Sequence, residues 1–299
     1  RLITLRGGDE LLLDFLLENH SLYALFKLHW AIFIGLIILL YIVKVIRSPL
    51  YEVSGNQTLY FFTAMITLFI IKATPVDVIG THYLFSVHTL QMSLTYFLVL
   101  PLVILSIPTG LLRQYVWHHQ TKLIVTLLSH PWMSLITFNG LLSIYFIPTV
   151  FKMIHTSIIA TIIVQVILLI SAIFMWFVII NPLPEIKGLS YILRAFYIFL
   201  ASVILMPIGF FYVVVQAEHF PMYEAVAGTI LPGFTAVYDQ QAAGGILKIS
   251  QLASYSCALL IIAFKWGRQE EEREGQVDEE NIRYARGVVI HLDKNRPRR

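Results

Sequence analysis

The sequence predicts an all-α fold, a polytopic membrane helix bundle of seven transmembrane helices with the N-terminus outside the cytoplasm and the C-terminus inside. Of its 299 residues, 58% are hydrophobic and 13% charged, whereas about a quarter of the residues in a soluble domain are charged. The mean hydropathy is +0.75. Seven apolar stretches approach the roughly 20 residues that cross a bilayer. We therefore expect a multi-pass protein of the cell membrane, with the lipid bilayer as its solvent.

The seven stretches lie at about 22–46, 57–74, 83–112, 132–151, 155–181, 189–215 and 242–266. Pro101 and Pro108 interrupt the third stretch and predict a kink, because proline removes a backbone hydrogen bond and clashes with the preceding turn. A tight turn near Pro148 and Lys152 is expected between the fourth and fifth. The longest connection, about 216–241, precedes the seventh.

The orientation follows from the Lys and Arg residues of the connecting loops, which are enriched on the cytoplasmic side. With the seven stretches placed as above, 15 of the 21 Lys and Arg residues fall on one side and 6 on the other. An odd number of spans with the richer side in the cytoplasm predicts N-out, C-in.

Three regions are expected along the chain. Residues 1–21 form an extracytoplasmic segment, in which 9–19 either make a short interfacial amphipathic helix or simply lead into the first span. Residues 22–266 form the transmembrane domain, and 267–299 a charged, solvated cytoplasmic tail. The single cysteine, Cys257, excludes a disulfide within the chain.

Polar side chains near the ends of spans are the first candidates for function, because polar groups in lipid are costly. With the predicted orientation they converge on the outer face. They are His82, His88, Gln91 and Met92 at the outer end of the third stretch, Met153 and His155 at the start of the fifth, His219 and Met222 in the outer loop, and Asp239, Gln240 and Gln241 where the seventh begins.

The sharpest local pattern is His88 followed four residues later by Met92, which places an imidazole and a thioether on one helix face. Such ligands suit Cu(I), and a thioether disfavours zinc, calcium or magnesium. The alternative is structural, with the histidine bonded to a neighbour and the methionine packed in the core.

Asp239 opens the string DQQAAGG. It either caps its own helix or contributes to a ligand site. Gly244 and Gly245 permit close helix packing, so we expect Asp239 to lie near His88.

Several other classes are disfavoured. The chain has no GxSxG, Walker or HExxH motif, so no common hydrolase, nucleotide or zinc-protease site is indicated. A retinal protein needs a Schiff-base lysine deep in the last span, and Lys248 lies only about two turns from its outer end. Nucleic acid is not an expected partner.

The motifs LFSVHTLQM, LPLVILSIP, FMWFVIINPLPE and YDQQAAGG, in this order and spacing, resemble the CtaG family of cytochrome c oxidase assembly factors of Gram-positive bacteria. The resemblance covers about residues 55–265. It implies a seven-span protein that supports copper insertion into a haem-copper oxidase, with His88, Asp239 and Gln240 at positions of the family motifs. Many relatives have a second histidine where this chain has Met92, and a His-x-x-x-His pair near Thr161 and Gln165, which this chain lacks.

The resulting prediction is a non-enzymatic copper chaperone that holds Cu(I) at the outer face and passes it to a cytochrome c oxidase subunit. An extracytoplasmic copper donor is a further expected partner, and a homodimer is left open. The alternatives are a metal transporter or channel and a structural oxidase partner without metal. The predicted metal-site residues are His88, Met92, Asp239, Gln240, Gln91 and His155.

Overall fold

The computed structural model describes residues 8–116, 130–183 and 188–294, and all elements in these ranges are helical. Residues 1–7 of the predicted N-terminal segment and 295–299 of the predicted tail lie outside the described residues. The chain divides into two units, Arg1–Tyr255 and Ser256–Arg299. The first unit contains every candidate site residue.

The helices are short where prolines and turns interrupt them. In the first part of the chain they are α1 Gly8–Asn19, α2 Leu22–Leu25, α3 Leu28–Tyr41, the π-helical segment π1 Ile42–Ile46, α4 Gly55–Ala73, α5 Pro75–His82, α6 Phe85–Leu94, π2 Thr95–Val99, α7 Leu100–Ser106 and α8 Thr109–Val116. After residue 130 they are α9 Pro131–Tyr145, α10 Pro148–His155, α11 Ile158–Ile180, α12 Tyr191–Ile204, α13 Met206–Val214, α14 Pro221–Glu224 and α15 Ala236–Lys294.

Five helical runs are long and apolar enough to cross a membrane. They are Leu28–Ile46, Phe85–Ser106, Ile158–Ile180, Tyr191–Val214 and Ala236–Glu274. Two further pairs pass the same test only together, because α4 and α5 meet at 56° and α9 and α10 at 81°. The described residues therefore contain five to seven candidate spans. The prediction of a helical multi-pass protein is confirmed, while the count of seven and the orientation stay predictions.

Proline sets both bends. Pro75 and Pro148 each stand at the start of a helix, where the missing N–H costs nothing. The residue before each is extended, as proline requires, so the chain changes direction there. The expectation of a mere tight turn near Pro148 and Lys152 was wrong, because this segment is the eight-residue helix α10.

The predicted disturbance at Pro101 takes the form of the π-helical segment π2. Pro101 has no N–H to offer to Tyr96 O or Phe97 O, the carbonyls five and four residues before it. Trp176 Nε1 donates to Tyr96 O at 2.7 Å, and Ser254 Oγ donates to Phe97 O. Two other helices thus satisfy the carbonyls that proline leaves open. The run ends at Ser106, earlier than predicted, because Ile107 before Pro108 is extended.

The close packing predicted for the paired glycines holds for Gly244 alone. A Cβ on Gly244 would lie 2.7 Å from Gly209 O and 2.9 Å from Tyr212 Cβ, whereas a Cβ on Gly245 would meet no atom of the described residues within 4 Å. Gly244 therefore allows α15 to approach the backbone of α13, which places the start of α15 against the rest of the first unit.

An ion-pair cluster holds α5 beside the start of α3. Asp77 on α5 is buried and pairs with Lys27 and, at 3.3 Å, with Lys72. Helix α5 in turn accepts hydrogen bonds from Gln91 at Val76 O and from Tyr223 at Gly80 O, at 2.7 and 2.9 Å. These contacts fix the helix that precedes His88.

Candidate metal site

His88 lies in the second turn of α6 and is 7% exposed. Its Nε2 is 2.8 Å from the phenolic oxygen of Tyr145 at the end of α9. Its ring centroid is 5.5 Å from that of His155, with the planes at 74°. The structure thus brings together His88 and His155, which the sequence analysis had selected separately. Tyr145 was not selected, because nothing in the sequence distinguishes it from the other tyrosines of the chain.

An aromatic cluster surrounds the His88 imidazole. Phe85 stacks on Phe220 with centroids 4.0 Å apart and lies 5.5 Å from both Phe151 and Tyr223. The ring of Phe151 is also 5.3 Å from His88. Burial raises the pKa of the Tyr223 hydroxyl, and nearby Asp239 adds to this rise. Charged and polar interactions around His88 are strengthened in such a dry environment.

His155 is half-buried at the end of α10 and stacks on Phe151 with ring centroids 4.0 Å apart. Its Nδ1 is 2.8 Å from Phe151 O. A carbonyl only accepts, so Nδ1 carries the proton and Nε2 keeps a lone pair that can bind a metal. His155 also lines an open cavity of about 210 Å³.

Met92 is buried one turn beyond His88 in the same helix. The two residues are four apart in an α-helix, a spacing that directs their side chains to the same face of α6. Five buried polar side-chain atoms have no hydrogen-bond partner among the described residues. Four lie on α6 and α9, namely Thr89 Oγ1, Ser93 Oγ, Asn139 Oδ1 and Ser143 Oγ, and the fifth is Arg194 Nε. The sequence analysis did not single them out, because isolated hydroxyls in apolar runs are common in membrane helices.

Asp239 meets α6 at its N-terminus. Its two carboxylate oxygens accept the backbone N–H groups of Phe85 and Ser86 at 2.6 and 2.9 Å. The helix that carries Asp239 has its own hydroxyl cap, because Thr235 Oγ1 accepts the N–H of Tyr238 at 3.3 Å. Asp239 is therefore a cap, but of the helix that carries His88, and a negative charge there also complements the helix dipole.

The two glutamines of the predicted set also bond to backbone groups. Gln91 Nε2 donates to Val76 O. Gln240 accepts the N–H of His219 at 3.2 Å and donates to Ala217 O at 3.1 Å. Both side chains are buried and fix neighbouring segments, with Gln240 holding the connection that follows α13.

The donor set decides which metal fits. Among the described residues, no three His, Cys, Asp or Glu side chains group closely enough to hold a metal ion. Two imidazoles and the thioether of Met92 remain, a neutral donor set that suits a soft monovalent ion of low coordination number. With metal–nitrogen bonds of about 2.0 Å, two imidazoles that share one ion have ring centroids roughly 5.5–6.4 Å apart. The 5.5 Å separation of His88 and His155 is compatible with this range.

Apolar helices long enough to cross a membrane, with a buried imidazole among them, define a multi-pass membrane protein, the class predicted from the composition. The chain belongs to the cytochrome c oxidase caa3 assembly factor family, Caa3_CtaG, whose family model matches residues 39–269. An oxidase partner is therefore implied. No curated protein and no solved structure matches the chain.

Proposed function

We propose that the protein is a copper chaperone that helps to load Cu(I) into cytochrome c oxidase. The observation that carries the proposal is the approach of the His88 and His155 rings, whose centroids are 5.5 Å apart. Met92, also buried, lies four residues after His88 in α6. Membership of an oxidase assembly family supplies the partner. The excess of Lys and Arg in the C-terminal tail and alternate loops supports seven spans with the site at the extracytoplasmic end.

In this proposal the metal is a cargo. His88 and Met92 bind Cu(I), and the half-buried His155 offers its Nε2 as a further ligand. Asp239 positions His88 by holding the first turn of α6, while Gln91 and Gln240 fix adjacent segments. Two or three neutral ligands leave one side of the ion open, which favours transfer over storage. The role is non-enzymatic, since binding and release alone deliver the ion.

The test is an anaerobic Cu(I) titration of purified protein. His88→Ala should abolish binding at this site. Met92→Leu should weaken it, and Met92→His should retain it because imidazole also binds Cu(I). Zinc should bind less well than copper. The control is His130→Ala, because His130 is exposed at the start of α9. Unchanged stoichiometry in both His88→Ala and Met92→Leu would exclude the site.

A second candidate function is transport of a metal ion through the bundle. The unpartnered buried atoms of Thr89, Ser93, Asn139 and Ser143 favour it, because they continue from the His88 turn along α6 and α9. Flux of Cu(I) into vesicles containing the protein would support transport, and copper binding without flux would support the chaperone.

The remaining alternative is a structural partner of the oxidase without metal. In that case the polar groups only fasten helices together, and purified protein should bind no copper while still co-purifying with an oxidase subunit. The same co-purification, repeated with extracytoplasmic copper donors and with a second tagged copy, tests the donor and the homodimer.

A further inference from the structure

The open cavity beside His155 is lined by a second imidazole and a second thioether, those of His219 and Met222. Its volume is about 210 Å³, far more than one ion needs. His219 lies in the connection between α13 and α14, and Met222 lies in α14. Three candidate ligands from two separate parts of the chain therefore face one accessible space.

Backbone carbonyls determine which ring nitrogen carries the proton in His155 and His219. His219 Nδ1 is 2.7 Å from Ala217 O, just as His155 Nδ1 is 2.8 Å from Phe151 O. Each Nδ1 therefore donates, and each Nε2 keeps its lone pair. A backbone carbonyl that fixes the tautomer in this way is a common feature of metal-binding histidines.

The segment that carries His219 is held in place by buried groups. Gln240, only 2% exposed, accepts the His219 N–H and donates to Ala217 O. Gln241 Nε2 donates to Val215 O at 3.1 Å. Two consecutive glutamines of α15 thus fix the connection from residue 215 to residue 219, so that the histidine is presented by a positioned backbone.

The charges at the cavity favour a monovalent ion. The three ligands are neutral, and Lys152, an exposed lysine, also lines the cavity. Its ammonium group repels a divalent ion about twice as strongly as a monovalent one. Glu218 precedes His219 in the chain but does not line the cavity. Soft neutral ligands next to an ammonium group suit Cu(I) or Ag(I) better than zinc.

We propose that this cavity is a capture site for a soft monovalent metal ion, formed by His219 and Met222, to which His155 adds its single Nε2 lone pair when that lone pair is not directed to an ion at His88. His155 borders both the cavity and the His88 ring, so it connects the capture site to the buried site. The destination of the ion rests on the proposed function, whereas binding in the cavity does not.

The experiment uses Ag(I), a redox-inert probe with the ligand preferences of Cu(I), and the full chain in detergent. Equilibrium dialysis counts the ions bound to the wild type, to the cavity variant His219→Ala/Met222→Leu, and to the buried-site variant His88→Ala/Met92→Leu. His155 is left intact because it borders both sites. The matched control is His130→Ala/Met153→Leu, since His130 and Met153 are exposed and do not line the cavity.

All proteins carry Cys257→Ser, because the exposed thiol of Cys257 would itself bind Ag(I). In this background the expected result is two ions on the otherwise unchanged chain and the control, one on each test variant and none when all four substitutions are combined. A cavity variant that binds as many ions as the wild type overturns the capture site. A buried-site variant that loses no ion instead overturns the ligands of the proposed function and leaves the capture site standing. In addition, Lys152→Ala should bind Ag(I) more tightly, because it removes a positive charge from the cavity.

Discussion

The imidazole Nε2 of His88 lies 2.8 Å from the hydroxyl oxygen of Tyr145. Both side chains are buried, and 57 residues separate them in the chain. If Nε2–H donates to the phenolic oxygen, Nδ1 is the nitrogen that keeps a lone pair for a metal ion. Tyr145 would then orient the imidazole without touching the ion, as second-layer partners of metal-binding histidines commonly do.

Tyr145→Phe should therefore lower the affinity of the His88 site for Cu(I) by about 10–100-fold. The ring and its packing remain, but the imidazole loses the hydroxyl that fixes its orientation. Competition titration with a Cu(I) chelator measures the change.

Tyr197→Phe serves as the control for this prediction. Its hydroxyl is also buried and bonds to Ser134 at 2.9 Å, so the same atom is removed away from His88. Equal or higher affinity in Tyr145→Phe would mean that Nε2, and not Nδ1, binds the metal.

Asp239→Asn should destabilise the protein even though Asn is a good N-cap. Asparagine has a single carbonyl oxygen, so the N–H of either Phe85 or Ser86 loses its acceptor, and the negative charge at the N-terminus of α6 is lost. The expected cost is about 1.5–3 kcal/mol, as for a charge-assisted hydrogen bond, together with lower copper occupancy.

Thermal unfolding in detergent and copper content at equal protein levels measure the two effects of Asp239→Asn. Thr235→Ala provides the comparison, because it removes the neutral cap of α15 and should cost about 1 kcal/mol without lowering copper occupancy. A melting temperature of Asp239→Asn equal to that of the wild type would show that the carboxylate contributes no more than a neutral cap.

Gly244→Ala and Gly245→Ala form a matched pair on one helix. The methyl group at 244 would meet Gly209 O at 2.7 Å, whereas the one at 245 would meet nothing within 4 Å in the part of the chain that the structure describes. We expect Gly244→Ala to cost about 1–3 kcal/mol by overpacking, and Gly245→Ala to be neutral or slightly stabilising because alanine favours helix. Melting temperatures measure both, and equal effects at the two positions would contradict the packing of α15 against α13.

The topology is tested with reporters. A reporter fused after Arg299 should be active only on the cytoplasmic side, and one inserted within 225–231 should be active outside. These outcomes follow from the distribution of Lys and Arg. A C-terminal reporter active outside would contradict the prediction and mean either an even number of spans, as when one of the two bent helix pairs does not cross, or the opposite orientation.

The sequence predicted which side chains of α6 lie together better than it predicted their contacts with other helices. His88 and Met92 are four residues apart, and a helix places such residues on one face whatever surrounds it. Asp239 was expected near His88 and lies at the first turn of the same helix, but its bonds go to backbone N–H groups 154 and 153 residues away in the chain. Such a contact depends on the position of α15. Gly244 lies against the backbone of α13, so the packing of α15 on α13 sets that position.

The sequence alone determined that this is a helical multi-pass membrane protein of an oxidase assembly family, because a bilayer demands long apolar runs and the family motifs are local strings. It also determined that His88 and Met92 share a face. Only the tertiary structure decided that His155 and Tyr145 flank His88 and that His219 and Met222 line a cavity with His155. These groupings join side chains from different helices and loops, and their distances depend on bends at Pro75 and Pro148 and on helix contacts that no local pattern contains.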